Sequence, residues 1–330
     1  MNIRVERKVF HLFNPIQKNE FIEDFLSKSE TKNIEKREIE IEKFFNRLEE
    51  VESDLEKDFS LFDYEEIILA LSVICRRGAR YQKTILSQLR QYLEWCIDKG
   101  YSLDNENRLI GLTIYDIDLS LSYKMGMIKD EEHLVKLLNM ELNSLEEDTI
   151  DNMYRCLLHL VFNGLTFDEA LNLKQDMVDL KNELINLPQR TINISDVCCH
   201  IIKYVTNMDY YSSNVGYDSQ REFKIVKTGY VLERTTANRE SMKKSIIPVI
   251  SNHFRNIKKE MGHKISITLF GLHLSGILYR IYQKEQNNEK LDFNEYVGQN
   301  LNSNINIATP QQVIDNGLVE YSAWKKAFDL

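Results

Sequence analysis

Apolar side chains recur at helical spacing through the first third of the chain. Between residues 32 and 61 they stand at Ile34, Ile39, Ile41, Phe44, Phe45, Leu48, Val51 and Leu55. The same period continues over Tyr64–Arg76 and Tyr81–Ile97, and Gly100 then offers a residue that tolerates the positive φ of a helix C-terminus. The pattern predicts a small helical bundle that ends near residue 101.

The rest of the chain mixes helical and strand patterns. Helices are expected at about 129–142, 146–162, 166–173, 241–261, 268–286 and 310–316, the last closed by Gly317. Residues 177–187 alternate around a polar turn at Lys181-Asn182 and predict a β-hairpin, and Ser195 suits the N-cap of the helix that follows. A further extended stretch is expected at about 223–235. The expected fold class is mainly α with a small β-sheet.

Two helix starts carry capping signals. Thr166-Phe167-Asp168-Glu169 is a T-x-x-E capping box, in which the hydroxyl and the carboxylate satisfy free backbone donors. Thr309-Pro310-Gln311-Gln312 has the same form, with Pro at the first helical position. Such caps bear on stability and carry no chemistry.

Charge is distributed unevenly in this 330-residue chain of net charge −9. Residues 20–66 hold 17 acidic and 7 basic residues, whereas residues 76–90 hold five basic residues and no acidic one. Residues 221–264 hold 11 Lys and Arg against 4 Glu. Two basic segments in an acidic chain indicate a polyanionic partner. The acidic segment would be repelled by DNA and could instead face solvent or a partner protein.

Several classes of protein are disfavoured by the sequence. No run of about 18 apolar residues is present, which predicts no membrane contact, and the N-terminus lacks a signal-peptide pattern. Five cysteines without a CxxC pair favour reduced thiols in the cytoplasm. Since HExxH, GxGxxG and GxxxxGK[ST] are also absent, no metal and no cofactor is expected.

The order of several motifs resembles the tyrosine recombinase (phage integrase) family. A helical bundle ending in QLRQYLEWCIDKGY is followed by KDEEHLVKLL, by Asn163-Gly164-Leu165 with Glu169-Ala170-Leu171-Asn172-Leu173, by the hairpin, and by TGYVLERT, SNHFRNIKKEMG and ISITLFGLHLSGILYRIY. The resemblance covers most of the chain. It implies a helical core-binding domain at 1–110, a linker at 111–128 and an α/β catalytic-type domain at 129–330.

The resemblance also implies that the catalytic residues are missing. The family's catalytic positions are occupied here by Thr166, Phe270, His273, Leu274, Gln299 and Ala308, and Arg190 lies near the place of the hairpin lysine. Recombinases need arginines, histidines and a lysine to stabilise charge on the scissile phosphate while a tyrosine attacks. Without them we expect no enzymatic activity. His159 and His273 lie on apolar helices and are expected to be packed or hydrogen-bonded side chains.

DNA contact is expected from the basic segments. The candidates are Arg76, Arg77, Arg80, Lys83, Arg90, Arg190, Lys224, Lys227, Arg234, Arg239, Lys243, Lys244, Arg255, Lys258 and Lys259. Neutralising roughly six to ten phosphates would make binding strongly salt-dependent.

The resemblance therefore implies a sequence-specific DNA-binding transcriptional repressor on a recombinase-like scaffold, similar to the lysogeny repressors of SPβ-like temperate phages. Its partner would be double-stranded operator DNA. One alternative is an active divergent recombinase that uses Tyr296 or Tyr321. Another is an accessory factor of the antirepressor type, whose acidic N-terminal helices bind a protein.

Overall fold

A computed structural model describes residues 13–28, 34–74, 79–102, 105–113, 116–117, 120–213, 221–235, 238–261, 267–303 and 310–330. Its helices are α1 Pro15–Ser27, α2 Ile34–Leu55, α3 Tyr64–Ile74, α4 Ala79–Lys99, α5 Ser120–Gly126, α6 Glu131–Leu138, α7 Asp151–Phe162, α8 Phe167–Leu171, α9 Asp196–Asn207, α10 Arg239–Glu260, α11 Leu269–Gln286, α12 Asn294–Ser303 and α13 Pro310–Ala327. The strands are β1 Val178–Asp179, β2 Leu184–Leu187, β3 Arg190–Asn193, β4 Tyr210–Ser213 and β5 Arg221–Lys224. Short 3₁₀ helices cover Phe59–Leu61 and Gln175–Met177. The protein is mainly α with small sheets, as the sequence predicts.

The chain divides into two compact units. The first comprises residues 1–123 together with 318–330, and the second comprises residues 124–317. The predicted division ran instead through a linker at 111–128 and assigned the whole C-terminus to the second domain. No helix in the described part of the chain is long and apolar enough to cross a membrane.

An aromatic cluster fills the core of the first unit. Phe21 of α1, Phe45 of α2 and Tyr92 of α4 meet edge to face, with ring centroids 5.0–5.8 Å apart. Edge-to-face pairs of this kind stabilise a core beyond the area that they bury. The α4 helix ends where the sequence predicted, because Gly100 adopts φ +74° and the Tyr101 N–H donates to the Cys96 carbonyl at 2.8 Å.

A buried ionic cluster lies beside these rings. The Lys18 ammonium is fully buried between the carboxylates of Glu52 and Asp58, and it also donates to the Phe13 carbonyl at 2.6 Å. Gln17 donates to Asp58 at 3.3 Å and to the Tyr92 hydroxyl oxygen at 2.9 Å. Burial raises the pKa of Glu52 to about 7, against the opposing attraction of Lys18.

The second unit is built around α7. Every residue of this helix from Asn152 to Phe162 is buried, and the helix packs against α9 and α11. Gly276 of α11 permits the closest approach, since a Cβ there would lie 1.7 Å from the Phe162 carbonyl oxygen. The α7–α11 contact therefore depends on the lack of a side chain at residue 276.

The predicted hairpin is confirmed and extended. Strands β1 and β2 pair antiparallel, and β3 adds a third strand in which Ile192 lies opposite Ile185. Ser195 caps α9 by accepting from the Cys198 N–H at 3.0 Å, as predicted. Strands β4 and β5 form a separate two-stranded sheet.

Two predicted helix boundaries were wrong by five residues or more. The helix placed at 146–162 begins only at Asp151, because the Asn152 side chain donates to the carbonyls of Leu145 and Glu147 and holds that segment in turns. The helix placed at 310–316 continues to Ala327. Gly317 does not end it, since this glycine provides space for the rings of Phe293 and Tyr296, which lie within 3.0 Å of the position of a Cβ. Thr309 lies outside the described residues.

Candidate nucleic-acid interface

The turn after α7 contains Gly164 and Thr166, and the resemblance predicts the family's first catalytic arginine at Thr166. Gly164 adopts φ +111°, which directs the chain from α7 to α8. Its carbonyl accepts from the Arg190 guanidinium at 3.1 Å and from the ring of buried His273. A Cβ on Gly164 would lie 2.8 Å from the Arg280 guanidinium and 2.9 Å from the Glu295 carboxylate. Residues of α7, β3, α11 and α12 therefore converge on one backbone turn.

Thr166 caps a helix at this turn. Its hydroxyl accepts from the Glu169 N–H at 3.2 Å, and the Glu169 carboxylate accepts from the Thr166 N–H at 2.8 Å. The predicted capping box is confirmed. The same Glu169 carboxylate accepts from Arg190 at 2.7 Å, so the cap and the ion pair share one acid.

His273 is the second residue for which the resemblance predicts a family arginine position. It is buried, with 8% of its surface exposed. Burial, reinforced by the charge of Arg280, lowers the pKa of this imidazole to about 4. The side chain is therefore neutral near pH 7 and contributes no positive charge for a phosphate.

Arg280 was not predicted from the sequence, although its guanidinium lies at this turn. Its guanidinium donates to the Phe162 carbonyl at 2.7 Å, which satisfies the C-terminus of α7, and it forms a bidentate ion pair with Glu295. A glycine inside an apolar helix often marks a close packing site. Gly276, one turn before Arg280, was therefore the available signal in the sequence.

The remaining residues that the resemblance assigns to catalytic positions are Phe270, Leu274, Gln299 and Ala308. Phe270 is half exposed on the first turn of α11, behind the N-cap Thr268. Leu274 is buried in the core. Gln299 belongs to α12 and Ala308 lies outside the described residues.

His159 is held by a carboxylate. Its Nδ1 lies 2.9 Å from Glu131, which also accepts from Asn163 at 3.2 Å. Burial alone would raise the pKa of Glu131, but hydrogen bonds from His159, Ser195 and Asn163 keep it below its ordinary value. The prediction of a packed, hydrogen-bonded histidine is confirmed for this residue.

Many of the predicted DNA-binding cations are engaged inside the protein. Arg90 donates to the carbonyls of Leu109, at 3.0 Å, and Leu112, which ties down the turn after α4. Lys227 donates to the Thr206 carbonyl at the end of α9. For both residues, a DNA contact would require breaking these bonds.

Three further cations are similarly held. Arg234 donates to the Ser245 hydroxyl oxygen at 3.0 Å. Arg239 donates to the Leu232 carbonyl at 2.6 Å and lies over the Tyr230 ring at 3.7 Å. Lys243 pairs with Asp168 of α8. Together with the Arg190–Glu169 pair, the acids of α8 neutralise two of the predicted cations.

The remaining cations are more accessible. Lys244, Arg255, Lys258 and Lys259 follow the solvent-facing side of α10 and are called the α10 basic face below. Among the described residues, no carboxylate pairs with the three lysines of this face, and Arg255 contacts only the Asn252 side chain, at 3.3 Å. The face extends for about 22 Å at the rise of an α-helix. That length spans several phosphates of a duplex.

Elsewhere, Lys224 is exposed on β5 and Lys83 is exposed on α4. Arg80 belongs to α4, and Arg76 and Arg77 lie outside the described residues. The basic segment of the first unit therefore stays a prediction.

Comparison with known proteins agrees with this architecture. Residues 12–98 match the family model of the MrpR N-terminal core-binding domain, and residues 137–319 match that of the MrpR C-terminal catalytic domain. A core-binding domain followed by a catalytic-type domain defines a tyrosine-recombinase-like protein. Since the second match alone covers more than half of the chain, the protein belongs to the MrpR family.

Among solved structures, the chain is similar to a XerA recombinase crystal structure at 14% identity and a TM-score of 0.35, over 95% of this chain and 97% of that one. No curated protein sequence matches it.

Proposed function

We propose that this protein is a sequence-specific DNA-binding repressor that uses a recombinase-like scaffold without cutting DNA. In the cytoplasm of a lysogen it would occupy operators of a temperate phage and maintain lysogeny. The proposal rests on the contrast between the turn at Gly164, where the arginines are occupied by protein acceptors, and the accessible α10 basic face.

The contacts around Gly164 argue against strand cleavage. A phosphoryl-transfer site needs uncommitted cations directed at the scissile phosphate. Arg190 and Arg280 instead bind carboxylates and backbone carbonyls, and His273 is neutral at physiological pH. An incoming phosphate would have to displace Glu169 or Glu295 from its arginine.

The two tyrosines that an active recombinase would use as nucleophiles are poorly placed to attack DNA. Tyr296 and Tyr321 are each only 3% exposed. Tyr321 stacks on Trp324 and Tyr296 meets Phe293 edge to face. A tyrosine that attacks DNA must reach a phosphate in solvent, so burial in aromatic contacts argues against either residue.

The proposal is tested with the purified full-length chain and restriction fragments of the host prophage. We expect a gel shift of a few fragments that weakens as salt is raised from 50 to 200 mM, by roughly 10³-fold or more in affinity for six or more phosphate contacts. A parallel denaturing gel with nicked suicide substrates is expected to show no covalent adduct.

The two alternatives predict different results in the same assay. A covalent adduct that is lost with Tyr296→Phe or Tyr321→Phe would establish an active recombinase and overturn the proposal. Failure to shift any fragment at low salt, together with a stable co-purifying protein, would favour an accessory factor that acts through protein contacts.

A further inference from the structure

A cavity of about 630 Å³ opens in the second unit, away from the turn at Gly164. It lies between the segment that precedes α7, strand β4 and the middle of α10. Its lining includes Thr149, Tyr154, Ser212, Asn252 and His253. The backbone fixes this wall, since the Ile150 N–H donates to the Ser212 carbonyl at 3.0 Å and the Ser212 N–H donates to the Asp148 carbonyl at 2.7 Å.

Carboxylates dominate the charge of this cavity. Glu141, Glu147 and Asp151 line it, and no lysine or arginine does so among the residues that the structure describes. The neighbouring Arg155 is committed elsewhere, because its guanidinium donates to the Asn139 side chain at 2.8 Å and to the Asn143 carbonyl at 2.9 Å. Arg255 of the α10 basic face lies beside the cavity, since it contacts the lining residue Asn252 at 3.3 Å. The three lining carboxylates outnumber this cation, so the cavity is suited to a positively charged ligand.

Within the described part of the chain, two buried polar groups of the lining have no hydrogen-bond partner. Thr149 is only 3% exposed, and its hydroxyl makes no hydrogen bond. The Nε2 of His253 is also buried without a partner, while its Nδ1 lies 3.3 Å from Glu141. If Nδ1 donates to that carboxylate, Nε2 is left as an acceptor. Buried polar groups without partners are costly. Rotation of either side chain toward the cavity would let a ligand with N–H donors supply the missing hydrogen bond.

The remaining walls suit a short apolar stem. Ile150, Pro248 and Val249 supply aliphatic surface, and the Tyr154 ring supplies an aromatic face next to His253, with ring centroids 5.5 Å apart. Cations are attracted to such aromatic faces. Apolar walls with a few convergent polar groups are typical of small-ligand sites.

We propose that this cavity binds a guanidinium or ammonium group carried on a short apolar stem. The charge would lie among Glu141, Glu147 and Asp151, with its donors directed to Thr149 and His253. Such a group can come from a small amine or from a basic side chain of a peptide. The proposal is independent of DNA binding, so it can fail or hold whatever the outcome of the gel-shift experiment.

The test uses the isotope-labelled full-length protein without DNA. Butylguanidinium is titrated against its neutral isostere butylurea, and binding is followed by the amide shifts of Thr149, Ser212 and Asn252. We expect saturable binding of butylguanidinium with a Kd of roughly millimolar, as befits a fragment-sized ligand. Blocked Ala-Arg-Ala is titrated in parallel, and tighter binding of this peptide than of butylguanidinium would identify a peptide as the source of the cation.

Matched variants locate the site. Glu147→Gln removes a lining carboxylate and Glu146→Gln removes the exposed carboxylate next to it, so both change the net charge equally. We expect Glu147→Gln to weaken binding about three-fold, on the scale of an exposed ion pair, and Glu146→Gln to leave it unchanged. Thr149→Val keeps the volume and removes the buried hydroxyl, so it should weaken binding while the protein stays folded. Equal binding of butylurea, equal effects of the two glutamines, or no saturable shift would overturn the proposal.

Discussion

The cations at the turn at Gly164 are bound by protein groups, whereas those on the α10 basic face are accessible to solvent. At the turn, Arg190 and Arg280 are held by Glu169 and Glu295 and by the carbonyls of Gly164 and Phe162. On α10, Lys244 and Lys259 project into solvent. The difference shows that a local excess of basic residues does not define a phosphate site. The partners that tertiary packing gives to each cation decide whether a phosphate can be bound.

The largest expected effect is on DNA affinity. The double substitution Lys244→Glu with Lys259→Glu removes two accessible positive charges and places two negative ones on the α10 basic face. We expect the affinity for operator DNA to fall roughly a thousandfold at low salt, with a smaller salt slope. Gel shifts at two salt concentrations measure both quantities.

The matched control for this double variant is Lys203→Glu with Lys290→Glu. Both lysines are exposed and lie outside the α10 basic face, so the net charge changes by the same amount. If the control weakened binding as strongly, the effect would be one of overall charge, and the contrast between the two regions would be wrong.

The next effect is a pH dependence of stability that arises from His273. Its pKa lies at about 4 in the folded protein and at 6.5 in the unfolded chain, so the unfolded state binds more protons between these values. The free energy of unfolding should therefore fall by about 3 kcal/mol as pH drops from about 6.5 to 4. His273→Gln should remove this part of the slope, as seen in the difference between urea titrations of the two proteins. Parallel slopes would mean that this imidazole is charged in the folded state, which would supply a cation at the turn.

Substitution of Arg280 tests whether this cation stabilises the fold or binds DNA. Arg280→Met keeps the length of the side chain, removes the ion pair with Glu295 and leaves the α7 C-terminus without its donor. We expect a loss of about 2 kcal/mol in the free energy of unfolding, because a carboxylate and a carbonyl lose their partner. DNA affinity of the folded fraction should stay unchanged. A selective loss of DNA binding at full stability would place Arg280 in the interface.

The smallest effect is expected where an arginine is restored. Thr166→Arg introduces an arginine where the resemblance predicts one but removes the hydroxyl of the capping box, at a cost of about 1 kcal/mol. No nicking should appear, since His273 stays neutral and Arg190 stays paired with Glu169. Thr166→Ser, which keeps the hydroxyl, is the stability control, and nicking of a suicide substrate by Thr166→Arg would show that the rest of the site is intact.

The sequence predicted a structural feature correctly where the contacts that form it lie within a few residues. The capping box at Thr166 and the N-cap at Ser195 involve residues within one helical turn, and both were predicted. The hairpin needed only an alternating pattern around a polar turn. The end of α13 was missed because Gly317 serves the packing of Phe293 and Tyr296, and that reason is invisible along the sequence.

By itself, the sequence determined the mainly helical fold class and the small sheet, because periodicity and caps are properties of neighbouring positions. Only the tertiary structure decided which cations are available. Arg280 reaches Phe162 because Gly276 lets two helices approach closely, and Arg90 is withdrawn by the carbonyls of Leu109 and Leu112. A cation is available only if folding does not bring acceptors from distant parts of the chain to it. No local sequence pattern indicates which acceptors those will be.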